Sequence, residues 1–196
     1  MIITKKQCFL YLIVMLAILL ISLPCYANVK LFGKIETLSI VEEGNSIIVN
    51  IPENFSFVLP AYEEYYVQER NERMDMPIIH IFGMASNGVA DFELVVNAFD
   101  LATADSTLLD QIGVNFYILG EDTNVVESTP IQVGDLSGFS LIISNLNYNG
   151  VETSGNTNVV LLANETKCIC LLLIERQRNQ EFYTEILTEI VSTIKM

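Results

Sequence analysis

The fold hangs on the stretch "VVLLANETKCICLLLIE", residues 159–175. "VVLLAN" and "CICLLLIE" flank the short polar link "ETK", the pattern of an antiparallel hairpin. On an extended strand Cys168, Cys170, Leu172 and Ile174 point one way, and Ile169, Leu171 and Leu173 the other. Both faces are apolar, so this strand needs cover on both sides of its sheet; a sheet with one wet face alternates apolar and polar residues. Val159 and Leu161 set against Val160 and Leu162 repeat the behaviour on the partner strand. The same geometry bears on the two cysteines. Residues two apart on a strand are about 6.6 Å apart, whereas a disulfide needs about 3.8 Å between Cβ atoms. Cys168 and Cys170 are therefore expected to be free thiols, buried as small hydrophobes. A bridge to another molecule is the alternative.

The cover is sought on either side along the chain. In "NQEFYTEILTEIVSTIK" (179–195) Phe182, Tyr183, Ile186, Leu187, Ile190, Val191 and Ile194 form one stripe of an amphipathic helix. In "TADSTLLDQIGVNFYIL" (103–119) Leu108, Leu109, Ile112, Phe116 and Leu119 recur at helical spacing behind the candidate caps Asp105 and Thr107. "NSIIVNIPENFSFVLP" (45–60) predicts strand, turn and second strand. "MPIIHIFGMA" and "ADFELVVNAF" around "SNG" predict a hairpin over 76–99, and 134–145 a strand reached through a glycine-rich turn. Residues 61–75 show no clean period and are expected as a loop or short surface helix, 121–130 as a loop with at most a short strand, and 146–158 as a polar loop. The expected fold is α+β: an antiparallel sheet covered by helices on both faces, an α/β/α sandwich.

The N-terminus sets the compartment. Lys5 and Lys6 precede the apolar run from Cys8 to Leu23, Pro24 breaks it, and Cys25 and Ala27 stand at −3 and −1 of a cleavage site before Asn28. That order is a secretory signal peptide, residues 1–27. An uncleaved anchor is the competing reading, but the run is short of the roughly 20 residues of a span. Residues 28–196 are then one domain, with no membrane span left after cleavage. Cys8 and Cys25 leave with the signal, and two cysteines do not make the disulfide framework of a small stapled domain.

The chain has 196 residues, with 24 acidic against 10 basic ones and a formal charge of −14. Losing Lys5 and Lys6 makes it more acidic still. Nucleic acid and anionic membrane both repel such a surface, so neither is an expected partner.

Catalytic and metal signatures are weak. His80 is the single histidine, which excludes a multi-histidine metal site and leaves zinc only if Cys168, Cys170 and a carboxylate converged on it. A buried, satisfied histidine is the expected role. Neither "GDLSG" around Ser137 nor "GMASNG" around Ser86 is a nucleophile elbow, and "GDLSG" lacks the Lys-Ser/Thr of a phosphate loop. "EDTN" at 121–124 is the best calcium candidate among the acidic clusters, without the spacing of an EF-hand. No catalytic, cofactor-binding or metal residue is assigned, and no cofactor. "YEEYYVQERNER" (62–73) has the aromatic and arginine composition of an interface. Tyr62, Tyr65, Tyr66, Arg70 and Arg73 are the expected partner-binding residues.

Several stretches resemble the PsbP-like family, in particular its exported bacterial members. They are the strand running into "IPENF" (51–55), "VGDLSGFSLI" (133–142) behind a central helix, and the long hairpin 158–176 leading into the helix at 179–195. The resemblance covers roughly residues 40–196. It implies the α/β/α sandwich and accessory work, docking to protein complexes or serving envelope assembly, usually without a catalytic centre. No functional residue carries over. The sequence thus favours an exported, non-enzymatic protein, periplasmic before extracellular, that binds another protein. A secreted effector or hydrolase with an unrecognised site, or a small-molecule or calcium binder, are the alternatives.

Overall fold

The computed structural model describes residues 28–32, 35–43, 46–70, 78–100, 124–144, 147–148, 151–152, 156–176 and 180–196. The expected signal segment, the expected helix at 103–119 and Arg73 lie outside the described residues.

The hairpin around "ETK" forms as expected. β12 (Thr157–Ala163) and β13 (Lys167–Glu175) pair antiparallel from Thr157 with Ile174 to Ala163 with Cys168. Asn164 makes the turn between them, its Oδ1 accepting from the backbone N–H of Thr166 and of Lys167, both at 2.9 Å. β13 is interior to the sheet, with β7 (Ala90–Asp100) on its other side. The full order is β1-β5-β6-β7-β13-β12-β9-β8, adding β1 (Asn28–Phe32), β5 (Glu64–Arg70), β6 (Ile78–Met84), β8 (Asn124–Val133) and β9 (Leu136–Ser144). Every pairing is antiparallel except β1 with β5, which makes the sheet mixed.

A second sheet of three antiparallel strands, β2 (Ser39–Glu43), β3 (Ser46–Ile51) and β4 (Phe55–Leu59), stands apart from the first. The β3–β4 turn is tight. Pro52 opens it, and Glu53 and Asn54 both adopt left-handed φ, 64° and 63°, a conformation that costs energy in residues other than glycine. The ammonium of Lys167 on β13 donates to the Glu53 carbonyl and holds the turn against the large sheet. A two-stranded ribbon, β10 (Asn147–Tyr148) with β11 (Val151–Glu152), occupies the stretch expected as a polar loop. One helix is present among the described residues, α1 (Gln180–Ser192), where the apolar stripe predicts it.

The two faces of β13 are filled differently. Ile169, Leu171 and Leu173 join Leu94, Val96, Ile79, Ile81, Tyr65, Val67, Val160 and Leu162 in the main core. Its other wall is built by Val49, Ile51, Phe55, Phe57 and Leu59 of the small sheet and by Tyr183, Ile186, Leu187 and Ile190 of α1. Cys170, Leu172 and Ile174 belong to a second, smaller cluster with Val95, Ile143 and Val159. The strand is thus buried on both sides, as its composition demands.

The α/β/α sandwich is overturned. The large sheet is covered on one face by a sheet and a helix together, and the protein is mostly β. Two segments account for the difference. Residues 64–70, expected as loop or surface helix, are the seven-residue strand β5, with Tyr65 and Val67 inward and Tyr66 on the other side. The inward alternation is masked because each face carries one tyrosine among polar residues, Glu69 on the inward side and Glu64 and Gln68 on the other. Residues 124–133 are the ten-residue edge strand β8. Residues 125–130 are exposed on both faces and only Ile131 and Val133 pack against the core, so no apolar period runs along the strand.

The residues beyond α1 are tied to the small sheet as well. Lys195 and Ser56 exchange two backbone hydrogen bonds of 2.8 Å, and Thr193 Oγ1 accepts from Val58 N–H at 2.9 Å. The segment therefore extends the β4 edge.

Candidate functional site

The strongest concentration of buried polar chemistry lies where β6, β7 and the end of β13 meet. In the β6–β7 register His80 faces Val95 and Phe82 faces Glu93, so His80 and Glu93 are diagonal neighbours on one face, within reach of long side chains. Glu93 faces Ile174 on β13, which makes Arg176 the diagonal neighbour on the other side. The three meet. His80 Nδ1 lies 2.8 Å from Glu93 Oε1, and Arg176 donates through Nη2 to Glu93 Oε2. His80 is only 2% exposed, while the Arg176 side chain is 44% exposed and carries the network to the surface. Burial pushes the Glu93 carboxyl up, but the bonds from His80 and Arg176 outweigh it and hold the group below its ordinary value.

A second strand of the network secures the helix. Tyr183 OH of α1 accepts from Arg176 N–H at 2.9 Å and donates to the Asp91 carbonyl at 2.9 Å. Tyr62 OH donates to the Asp91 carboxylate. β6, β7, the end of β13 and the start of α1 are thereby joined through named polar atoms.

His80 meets a carboxylate, as a catalytic dyad would, but it lies sealed, with its ring stacked parallel to Phe82 at 6.3 Å between centroids. Cys170 stands one row further along the sheet, opposite Asn97, on the side away from Glu93. Both thiols are free and buried. Burial pushes Cys168 up to about 12 and Cys170 well above its ordinary value, so neither supplies a thiolate at neutral pH. Among the described residues no group of three or more His, Cys, Asp or Glu side chains could hold a metal ion. Of the calcium candidate, residues 121–123 lie outside the described residues.

The tyrosine segment does not assemble as one surface. Tyr65 is buried in the main core, its hydroxyl donating to the Pro60 carbonyl at 2.8 Å. Burial raises its pKa. Tyr62 is half-buried, edge-on to Phe92 at 5.3 Å and near Phe182. Tyr66 faces the other way. It stacks on Phe32 of β1 at 4.8 Å, with the Lys30 ammonium 5.0 Å above its ring and donating to its hydroxyl at 3.1 Å. Arg70 ends β5.

Sequence reasoning missed Asp91, Glu93 and Arg176. The signal was present: "ADFELVV" alternates acid and apolar residues before both faces turn apolar, and registering the predicted hairpin brings Glu93 beside His80. It also missed the exposed apolar residues at the two margins of the sheet. At one margin Leu31 is 55% and Phe32 47% exposed. At the other Val126 is 57% and Phe139 51% exposed, with Val125 also open.

No family model matches the chain, and no curated protein matches it. The PsbP-like resemblance stands on the quoted stretches alone, without the sandwich that it implied. Among the described residues no helix is long and apolar enough to cross a membrane.

Proposed function

We propose that the protein is an exported, non-catalytic binding protein that docks another protein of the envelope on the β8–β9 margin of its large sheet. The observation that carries the reading is the apolar surface there. Phe139 is opposite Pro130 on β8 and Leu161 on β12, and Val125 is opposite Ile143. The register shifts between Val125 and Glu127, which makes Val126 the extra residue of a bulge. Bulge and proline both discourage addition of a further strand at this edge. The contact is therefore made by side chains on the face, not by backbone pairing. With a chain at −14, the fitting partner has an apolar spot ringed by Lys or Arg.

Against a hydrolase stands the sealed position of His80, whose carboxylate partner is already engaged by Arg176. Export rests on the N-terminal pattern, and N-terminal sequencing of the native protein tests it. A start at Asn28 supports it, whereas an intact Met1 in the cytoplasm contradicts it.

The docking surface is tested by placing a photoreactive residue at Phe139 in the native host, with Glu185 on the outer face of α1 as control. A discrete crosslinked partner is expected at Phe139 alone, lost in a Val126→Ser variant that keeps its melting temperature. No product at Phe139, or the same products at Glu185, contradicts the reading.

A further inference from the structure

The opposite margin carries a different design. β1 is five residues long and pairs with β5 alone among the described residues. It has no proline, no bulge and no acidic residue, and its one guarding charge, Lys30, is drawn back onto Glu64 and Tyr66 of β5. It also exposes two consecutive large hydrophobics, Leu31 on the core-side face and Phe32 on the other. An edge so built is an aggregation hazard unless it has a specific occupant.

The geometry points to a second copy of this chain as that occupant, its β1 pairing antiparallel with the first across a two-fold axis at Leu31. Three observations lead there. The first is charge. Two copies at −14 repel, and β1 is a strand without acids where they can approach. Its one charge, Lys30, is ion-paired with Glu64 of β5, so each copy presents a plus and a minus side by side, which a two-fold axis makes complementary to itself.

The second is register. A two-fold axis perpendicular to the sheet pairs residues on the same face, which allows β1 to be centred on Val29, Lys30 or Leu31. Centring on Lys30 sets two like charges directly opposite, which is unfavourable. Centring on Val29 leaves Leu31 and Phe32 of both copies uncovered. Centring on Leu31 covers all four: Leu31 meets its own copy on one face, and Lys30 meets Phe32 of the second copy on the other.

The third is chemistry already in place. Lys30 and Phe32 flank the Tyr66 ring, the one as a cation and the other stacked. The Leu31-centred register continues that row across the axis, alternating cation and aromatic ring. This goes beyond the binding proposed above, which uses the other margin and leaves β1 free.

The test is sedimentation of the exported protein over a concentration series, with crosslinking through one introduced cysteine, the native Cys168 and Cys170 being buried. The wild type is expected to show a reversible monomer–dimer equilibrium. Leu31→Glu and Phe32→Glu, both at exposed positions, are expected to weaken dimerisation about tenfold or more by desolvating a charge in the seam. Val126→Glu on β8 leaves it unchanged. Leu31→Cys should oxidise to a crosslinked dimer and Lys30→Cys should not, because Lys30 lies opposite Phe32. A wild type monomeric at every concentration overturns the inference, as does a dimer lost in Val126→Glu. A Lys30→Cys crosslink in place of the Leu31→Cys one overturns the register.

Discussion

Tyr65 and Tyr66 adjoin in sequence and serve opposite sides of the sheet. Tyr65 fills the core between the two sheets, and its hydroxyl satisfies the Pro60 carbonyl. Tyr65→Ser is expected to cost about 3–5 kcal/mol, the range for deleting a buried aromatic. Tyr65→Phe should cost about 1 kcal/mol, one buried hydrogen bond. Tyr66→Ser should stay within about 1 kcal/mol, a half-buried position. Urea denaturation of the three variants checks the order; equal losses at 65 and 66 would contradict the strand assignment. Composition alone marked Tyr62, Tyr65 and Tyr66 as a contact surface, because alternation cannot be read when each face of a strand carries one tyrosine among polar residues. The free state of the cysteines was legible, since two-residue spacing on a strand excludes their mutual bridge whatever surrounds them.

Glu93 belongs to the same scale. Its carboxyl is held below its ordinary value in the folded protein. A depressed folded-state value stabilises the fold above the unfolded carboxylate range, and that stabilisation is lost as pH falls through the folded value. The difference in unfolding free energy between wild type and Glu93→Gln is expected to be roughly 1–3 kcal/mol at neutral pH. It should be constant down to about pH 4.5, the ordinary value, and shrink below it. Denaturant titrations from neutral to acid pH read the difference. A gap that widens in acid would mean that Glu93 is buried protonated.

Elements were legible in proportion to how one-sided they are. α1 appears where its stripe puts it because one face is core and the other water. β13 and β12 were legible from continuous apolarity. β5 and β8 were not, and both lie toward the margins of the sheet. Gly138 shows another limit: the sequence places it in the turn leading to a strand, while it lies inside β9. A Cβ there would sit 1.9 Å from the Leu161 carbonyl oxygen, which is backbone and cannot yield. At Gly83 a Cβ would meet the Phe92 ring at 2.2 Å, and a ring can turn. Gly138→Ala is therefore expected to prevent β9 from docking on β12 and to abolish soluble expression. Gly83→Ala should fold with a loss of about 1–3 kcal/mol, the usual cost of overpacking. Soluble yield reads the first and a thermal melt the second, and a soluble Gly138→Ala more stable than Gly83→Ala would refute the close approach of β9 to β12.

At the scale of the molecule, two sheets and one helix enclose the main core, and residues 193–195 tie α1 to the small sheet. The need for cover on both faces of β13 was legible in the sequence. That a three-stranded sheet supplies much of one cover was not, because strand-turn-strand patterns fix local extension and leave the choice of neighbour to tertiary packing. Edges were likewise invisible, since exposure along a strand is a property of its place in the sheet. The contrast between β8, guarded by a bulge and a proline, and β1, whose one charge is drawn back onto β5, emerges only once the strand order is known.

The whole architecture depends on β13 being an interior strand buried on both faces. Native-state hydrogen exchange probes that placement residue by residue. Amides of residues 168–174 should be among the slowest in the protein, opening only with global unfolding, while those of the edge strand β8 exchange early. If residues 168–174 exchange as fast as β8, β13 is not interior and the two-sheet arrangement around it is wrong.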